Sequence, residues 1–413
     1  MKEKQSDIDL STSHQAPKER HTKKKTSGTT ARPERPKGEP LPTDPEPTPL
    51  RACPPEASPS LPPEISPLLL RWYRTNARKL PWRQDQLPYH VWLSEVMLQQ
   101  TRVETVKGYY LRFLERLPNI AALAAVSIEE LYKLWEGLGY YSRAKNLQKA
   151  AQMILRDFGG VFPGSFREIQ SLPGIGPYTA GAISSICFQQ PTPAVDGNVL
   201  RVISRLLEIG EDIKEGGTQK KITAAVAGLY PREASPDCGA LTQALIELGA
   251  LVCVPKAAPL CDRCPLSGHC RSFRHQTTRQ YPVTSPKKQR KQEDRTVLLL
   301  LSEGRLALSK RPAEGLLSGL WELPNIPVHL SPETTVSHLQ ALGLSPKAPP
   351  KPTANRKHIF THIEWHMIGY LVRCQAPVPA FQWVTPEELS QDYALPTAFR
   401  QFLPELQREL AEA

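Results

Sequence analysis

The sequence has no long apolar run and little cysteine outside one short stretch. None of its apolar segments approaches the ~20 residues of a membrane helix, and its polar, lysine-rich start lacks the apolar core of a signal peptide. Acidic residues are also in deficit, with 41 Asp and Glu against 52 Lys and Arg, which gives a formal net charge of +11. We therefore expect a soluble, intracellular protein with an anionic partner, although the excess charge also suits simple solubilisation.

Half of the eight cysteines fall within eighteen residues, at Cys253, Cys261, Cys264 and Cys270. Thiolates at this density bind a metal centre more often than they form disulfides inside a cell. The C-x7-C-x2-C-x5-C spacing suits either tetrahedral zinc or a [4Fe–4S] cluster, and the spacing alone leaves both open.

Composition divides the chain into four segments. Residues 1–60 hold eleven of the 42 prolines and few apolar clusters, which predicts a disordered tail. Residues 61–270 have helical periodicity and no convincing strand, which predicts an all-α body of nine or more short helices. Residues 271–296 form a basic linker with eight Lys or Arg and two acids, as is common near phosphates. Residues 297–413 predict an α+β domain.

The apolar pattern also places individual elements. One helix is predicted from about Leu93 through Phe113, and others over 128–136, 143–157, 178–188, 197–207, 219–228 and 239–251. In the second domain we expect strands at 297–301, 306–308 and 368–372, and helices near 331–342, 385–390 and 396–411.

Two short motifs indicate contact with phosphate and a capped helix. In Leu172-Pro173-Gly174-Ile175-Gly176, two glycines allow a tight hairpin whose amides bind a phosphate oxygen without sequence preference, although a plain interhelical turn has the same pattern. In Val195-Asp196-Gly197-Asn198-Val199, Asp196 precedes a helix, where a carboxylate caps free N–H groups.

These motifs occur in order with three others, namely Trp92 to Thr101 (WLSEVMLQQT), Gly137-Leu138-Gly139-Tyr140-Tyr141 and the four-cysteine loop. Together they resemble the adenine DNA glycosylase (MutY) family of the helix-hairpin-helix glycosylase superfamily, over about residues 61–400. The resemblance implies a [4Fe–4S] cluster on the four cysteines rather than zinc. It also implies removal of adenine mispaired with 8-oxoguanine or guanine. One departure is the seven residues between Cys253 and Cys261, where the family generally has six.

The residue chemistry agrees with that activity. Adenine is a poor leaving group unless protonated, so two carboxylates are needed, one acid with a raised pKa and one that stays ionised. Glu95 lies among Trp92, Val96 and Met97, an apolar setting that favours its protonated form, although an ordinary surface acid is the alternative. The resemblance implies that Glu95 protonates adenine N7 and later activates water. It implies that Asp196 stabilises the positive sugar, with a transient covalent adduct as an option.

Tyr178 distinguishes the chain from related lyases. Endonuclease III-type enzymes have a lysine at this position, which attacks the sugar and cleaves the strand through a Schiff base. A phenol cannot form that imine, so we expect a monofunctional glycosylase. The resemblance implies a hydrogen bond of Tyr178 near Asp196 or the sugar, and helix packing is the alternative.

Other residues match positions that contact DNA. Gln99 lies one helical turn beyond Glu95 and is expected in the same pocket, and Gln100 and Tyr140 match wedge residues that fill the gap left by the flipped base. Gly174, Gly176 and Asn198 are expected at the DNA backbone, and Arg83 and Gln243 near the adenine. Arg143 is expected to contact phosphate or solvent.

The C-terminal segment Arg311–Pro324 resembles the Nudix-like module of these glycosylases. A Nudix hydrolase needs a helix of glutamates for Mg²⁺, and Ser337–Leu342 has none, so hydrolysis is not expected. Phe360, Thr361 and His362 match a Phe-Ser-His loop that inspects 8-oxoguanine, with threonine retaining the hydroxyl. His358, His362 and His366 recur every fourth residue, and we expect them on one strand face rather than at a metal.

The expected partner is double-stranded DNA containing an 8-oxoguanine:adenine or guanine:adenine mispair, bound by a monomer. The location is expected to be the bacterial cytoplasm, or the nucleus if the source is eukaryotic. Three alternatives remain: a bifunctional endonuclease III-type glycosylase and lyase, a catalytically silent protein that binds damaged DNA, and a hydrolase of oxidised nucleotides.

Overall fold

The structure is a computed structural model that describes residues 60–255, 258–286 and 289–411. The predicted disordered tail lies outside the described residues except for Ser60. No helix in these three ranges is long and apolar enough to cross a membrane.

The first part of the described chain is helical. Its helices are α1 Ile65–Asn76, α2 Pro88–Leu98, α3 Val103–Arg116, α4 Ile120–Ala125, α5 Ile128–Leu134, α6 Ser142–Asp157, α7 Phe166–Ser171, α8 Pro177–Phe188, α9 Gly197–Leu207, α10 Gly216–Ala227, α11 Asp237–Leu251 and α12 Arg271–Arg274. The single helix predicted from Leu93 to Phe113 is wrong, because α2 ends at Leu98 and α3 begins at Val103.

The helices pack around two apolar clusters. One contains buried residues of α2, α3, α6 and α8, and the other contains those of α1, α9, α10 and α11. The strong amphipathic pattern of α9 explains its place, since Val199, Val202, Ile203 and Leu206 all face the second cluster.

Strands follow the helices from residue 291 onward. They are β1 Lys291–Ser302, β2 Arg305–Lys310, β3 Trp321–Glu322, β4 Asn325–Ile326, β5 Lys351–Pro352, β6 Arg356–Ile359, β7 Ile363–Arg373 and β8 Gln382–Val384. They form one sheet in the order β3-β2-β1-β7-β5, with β4 on β1, β6 on β7 and β8 on β2. β1 therefore begins inside the predicted linker 271–296.

The long central strands β1 and β7 are parallel to each other. Along β1, Val297, Leu299 and Leu301 face one apolar cluster, whereas Leu298 and Leu300 face another. Burial on both faces explains the uninterrupted apolar run of this strand.

Helices cover both faces of the sheet. They are α13 Pro332–Ala341, α14 Pro386–Gln391, α15 Thr397–Arg400 and α16 Leu403–Ala411. The predicted helix 396–411 is thus two helices. The predicted fold class, a helical body followed by an α+β domain, is confirmed.

The three histidines do not share a strand face, so that prediction is wrong. His358 lies on β6, His366 lies on β7, and His362 lies in the turn between them. A hairpin turn interrupts the strand between them, so the four-residue spacing does not place the side chains on one face.

Candidate active site

A pocket opens where the two apolar clusters of the helical body meet. α2 and α8 belong to one cluster and α9 to the other, so distant parts of the sequence come together here. The pocket is lined by Arg78, Leu80, Trp82, Arg83, Val91, Ser94, Glu95, Leu98, Gln99, Gln100, Thr101, Val103, Tyr178, Ile186, Asp196, Gly197, Asn198, Gln243, Ile246 and Ala250.

Glu95 lies on α2 with 9% of its surface exposed. Its Oε2 accepts a hydrogen bond of 2.8 Å from the Tyr178 hydroxyl of α8. Burial raises the pKa of Glu95 to about 7, the Tyr178 hydrogen bond opposes that rise, and the charge of Asp196 adds to it. The carboxyl is therefore partly protonated near neutral pH, which is the state that a general acid needs. The Tyr178 hydroxyl thus donates to Glu95, within the pocket that Asp196 also lines. The expected bond of Tyr178 near Asp196 or the sugar stays a prediction.

Asp196 precedes α9 and caps it. Its Oδ1 accepts from the backbone N–H groups of Asn198 and Val199, both at 2.9 Å, and its Oδ2 accepts from the Asn198 side-chain amide at 2.6 Å. Burial raises the pKa of Asp196, and these hydrogen bonds oppose the rise. Donors of this kind favour the ionised form of a carboxyl. The two carboxyls of the pocket thus have different partners, a phenol for Glu95 and N–H groups for Asp196.

Glu247 on α11 organises another wall of the pocket. It is fully buried and accepts hydrogen bonds of 2.8 Å from both Nε and Nη2 of Arg78 and of 2.9 Å from Nη2 of Arg83. Burial acts to raise the pKa of Glu247, but the bonds from both arginines lower it to about 2. Nearby, the Tyr73 hydroxyl donates to Gln243 Oε1 at 3.0 Å, which leaves the Gln243 amide group as a donor.

The break between α2 and α3 has a specific support. Gln100 has a φ of 58°, in the left-handed region, and the break is held by Arg143. The Arg143 guanidinium donates to the carbonyl oxygens of Val96, Met97 and Gln99 at 2.7–2.9 Å, and only 8% of Arg143 is exposed. The expectation that Arg143 contacts phosphate or solvent is therefore wrong, because the residue satisfies the last carbonyls of α2.

The glycine hairpin lies between α7 and α8. Gly174 has a φ of 79°, and a Cβ there would lie 2.7 Å from Cβ of Asn146, so any other residue would be strained and would displace Asn146. Gly176 precedes α8, and the space beside its Cα is open. The first amides of α8 have no carbonyl within the helix to bind, which suits an anionic ligand.

A second pocket lies between the helical body and the C-terminal domain. Tyr140, which is 46% exposed, contributes a hydroxyl 3.2 Å from Thr361 Oγ1. The pocket is lined by Tyr132, Gly139, Tyr140, Tyr141, Ser142, Lys145, Gly315, Leu316, Leu317, Ser318, His358, Ile359, Phe360, Thr361, His362, Pro396 and Thr397. The structure thus brings the loop 360–362 next to Tyr140 but away from Glu95.

The four clustered thiols line a third, mostly apolar pocket beside α9 and α11. Arg205 Nη1 lies 3.2 Å from Cys253 Sγ, which places positive charge beside the thiols. Within the described residues, no three His, Cys, Asp or Glu side chains converge closely enough to hold a single metal ion. Four thiols around one pocket nevertheless fit a group that takes four thiolate ligands.

Arg201 connects this third pocket with Asp196. Its Nε donates to the Cys253 carbonyl at 2.7 Å, and its Nη2 donates to Asn198 Oδ1 at 2.8 Å. Asn198 in turn donates to Asp196. Arg201, Arg78 and Glu247 were not predicted from the sequence. For Arg201 and Glu247, the available signal was a charged residue within an otherwise apolar helical stretch.

Family models match both parts of the chain. Residues 93–227 match the HhH-GPD superfamily base excision DNA repair protein model, and residues 296–405 match the NUDIX domain model. The helical fold with its paired carboxyls is therefore that of a base excision DNA repair protein of this superfamily.

Individual proteins narrow the class. The chain is 35% identical to the adenine DNA glycosylase of Mus musculus over 78% of this chain and 73% of that protein. It is 34% identical to the Homo sapiens enzyme over 78% and 70%. Among solved structures, a thermostable thymine-DNA glycosylase is similar at 26% identity and a TM-score of 0.45, over 51% of this chain and 96% of that one. The chain belongs to the adenine DNA glycosylase family.

Proposed function

We propose that this chain is a monofunctional DNA N-glycosylase that removes adenine mispaired with 8-oxoguanine or guanine. The proposal rests on one observation: Glu95 and Asp196 line the same pocket, with Tyr178 bonded to Glu95 and three N–H donors bonded to Asp196. A glycosylase must take its base out of the DNA stack into such a pocket.

The two carboxyls then divide the chemistry. Glu95, with a pKa near 7, donates a proton to N7 of adenine, so that the base leaves as a neutral molecule. The resulting carboxylate takes a proton from water as the water attacks the sugar. Asp196 remains ionised under its N–H donors and stabilises the positive, oxocarbenium-like sugar.

Strand cleavage is not part of the proposed reaction. A lyase needs an amine that forms an imine with the sugar, and Tyr178 offers a phenol at that position. Its hydroxyl is already engaged as the donor to Glu95. The product is therefore an intact strand with an abasic site.

Adenine recognition is assigned to the wall built on Glu247. Gln243 directs its amide N–H groups into the pocket because Tyr73 occupies its oxygen. Arg83, fixed by Glu247, lines the same pocket. An amide donor suits the ring nitrogens of adenine.

The DNA contacts are assigned to three places. The hairpin amides near Gly174 and Gly176 and Asn198 at the start of α9 bind the backbone of the strand that holds adenine. Gln100 and Tyr140 fill the gap left by the flipped base, and Gln99 faces the pocket that contains Glu95.

Recognition of 8-oxoguanine is assigned to the second pocket. Phe360, Thr361 and His362 lie on the side of the C-terminal domain and face Tyr140. Nucleotide hydrolysis there is not supported, because Glu333 is the one carboxylate of α13 and a hydrolase needs several for Mg²⁺.

A [4Fe–4S] cluster is assigned to Cys253, Cys261, Cys264 and Cys270. The four thiols line one pocket, which suits a group held by four thiolates, and the family resemblance favours a cluster over zinc. A cluster held there would link Cys253 with Cys261, Cys264 and Cys270 beside α9 and α11. Arg201 bonds both the Cys253 carbonyl and Asn198, so it joins that site to the start of α9.

The test uses end-labelled duplexes with 8-oxoguanine:adenine, guanine:adenine and 8-oxoguanine:cytosine pairs, with and without hot alkali. We expect breakage of the adenine strand only after alkali, in the first two duplexes and not in the third. Breakage without alkali would instead indicate a lyase. Binding of the first duplex with no breakage would indicate a silent damage sensor.

A further inference from the structure

The helical body and the C-terminal domain meet at a set of polar contacts that the proposed chemistry does not use. Lys133 Nζ donates to the carbonyl oxygens of Leu389 at 3.3 Å and Tyr393 at 3.1 Å. Glu136 Oε2 lies 3.0 Å from Lys133 Nζ, and Glu136 Oε1 accepts the backbone N–H of Leu395 at 2.9 Å. We call Lys133, Glu136 and the segment 389–395 the docking contact.

The docking contact is shielded from solvent. The Lys133 and Glu136 side chains are 21% and 15% exposed, so both charges are largely desolvated and each has a partner across the domains. Next to it, Leu320 and Ala394 of the C-terminal domain are buried in an apolar cluster of the helical body. The two domains therefore share a core and do not depend on surface charge alone.

An ion pair between the two domains has the opposite character. Lys310 Nζ lies 3.1 Å from Glu129 Oε1, and both side chains are 49% exposed. Exposed ion pairs of this kind contribute little to stability, so this pair serves as an internal control.

The segment that follows Glu136 leads directly to Tyr140, and neighbouring side chains bond its backbone. The Glu136 carbonyl accepts a hydrogen bond of 2.6 Å from the Tyr109 hydroxyl. A Cβ on Gly137 would lie 2.4 Å from the Tyr109 hydroxyl oxygen. The Trp135 indole donates to the Gly139 carbonyl at 3.0 Å. A shift of the docking contact is thus transmitted to the backbone that carries Tyr140.

We propose that Lys133 and Glu136 are positioning residues that determine specificity for the oxidised base. They hold the C-terminal domain so that Thr361 faces Tyr140 before DNA binds, and the second pocket exists in advance of its ligand. The inference rests on the proposed function, because it takes 8-oxoguanine as the group that this pocket recognises.

The test compares single-turnover excision of adenine opposite 8-oxoguanine and opposite guanine. In Lys133→Met, which keeps most of the side-chain length, we expect the preference for 8-oxoguanine to fall about tenfold, as two hydrogen bonds from a charged group are lost. Glu136→Gln, which keeps its size and loses the charge, should reduce the same preference by a smaller factor. In both variants the guanine:adenine rate should stay within about twofold, because the catalytic pocket is unchanged.

Lys310→Met is the matched control and should leave the preference as it is in the unchanged protein. Small-angle scattering of free protein should give a larger radius of gyration for Lys133→Met than for Lys310→Met. Equal losses on both duplexes, or an unchanged preference in Lys133→Met and Glu136→Gln, would overturn the inference. Failure of the unchanged protein to excise adenine from any duplex would instead defeat the proposed function.

Discussion

Two glutamates are buried in and beside the same pocket, yet their surroundings favour opposite protonation states. Glu95 accepts one hydrogen bond from a neutral phenol, and burial raises its pKa to about 7. Glu247 is also buried, and its arginine partners lower its pKa to about 2 despite that burial. Desolvation by itself thus does not decide whether a carboxyl is charged; the charge of its partners does.

The contrast explains how one pocket holds both an acid and a fixed recognition wall. A carboxyl without a cationic partner can exchange a proton during the reaction. A carboxyl bonded to two guanidinium groups cannot, and it orients those groups instead. The region around Glu95 is therefore suited to chemistry, and the region around Glu247 to structure.

Among the substitutions that test the contrast between Glu95 and Glu247, Glu95→Gln is expected to have the largest effect. The amide cannot protonate adenine or activate water, so we expect excision to fall by about a hundredfold to ten-thousandfold. Duplex binding should be nearly unchanged, because the hairpin and the second pocket are intact. Single-turnover kinetics and a binding titration on the 8-oxoguanine:adenine duplex measure the two effects.

Glu115→Gln, which changes an exposed acid on α3, is the matched control. Comparable losses of binding and excision in Glu95→Gln would contradict the role.

Glu247→Gln tests whether the charge of Glu247 stabilises its wall of the pocket. It leaves the partly buried Arg78 and Arg83 without a counter-charge, and we expect a loss of unfolding free energy on the order of 3 kcal/mol. Urea denaturation at neutral pH measures that loss.

The pH dependence of this loss has a definite sign. The pKa of Glu247 in the folded protein is about 2, below its ordinary value of 4.5. Its contribution is therefore present above about pH 4.5 and disappears as the pH falls toward 2. The stability difference between the unchanged protein and Glu247→Gln should narrow over that range. A constant difference would show that the charge of Glu247 is not what stabilises this wall.

The two carboxyls proposed for the chemistry, Glu95 and Asp196, were largely predictable from the sequence. Local signals were sufficient there: Glu95 lies in an apolar helical stretch, and Asp196 precedes a helix that it caps. The resemblance to known glycosylases then related the two residues, and the pocket contains both.

Arg83 and Gln243 were predicted near the adenine, but the bonds of Glu247 that organise this wall were not predictable, because they join residues 164 and 169 positions apart. The break between α2 and α3 was also missed. Its apolar spacing continues through Val103, and the break depends on Arg143, which approaches from another helix. The polar first half of β1 was assigned to a linker, since its pairing with β7 is set by tertiary contact rather than by an apolar pattern.

Tyr178→Phe, the substitution with the smallest expected effect, tests how hydrogen bonding sets the pKa of Glu95. It leaves Glu95 buried but removes its hydrogen-bond donor. Because that bond lowers the pKa of Glu95, its loss should raise the pKa further. The excision rate depends on protonated Glu95, so it should decline with rising pH near pH 7 in the unchanged protein and at a higher pH in Tyr178→Phe. Single-turnover rates across this range locate each decline. Tyr230→Phe removes a buried hydroxyl that bonds Thr242 outside the pocket, and its profile should match that of the unchanged protein. A decline at the same or a lower pH in Tyr178→Phe would mean that the phenol does not control the charge of Glu95.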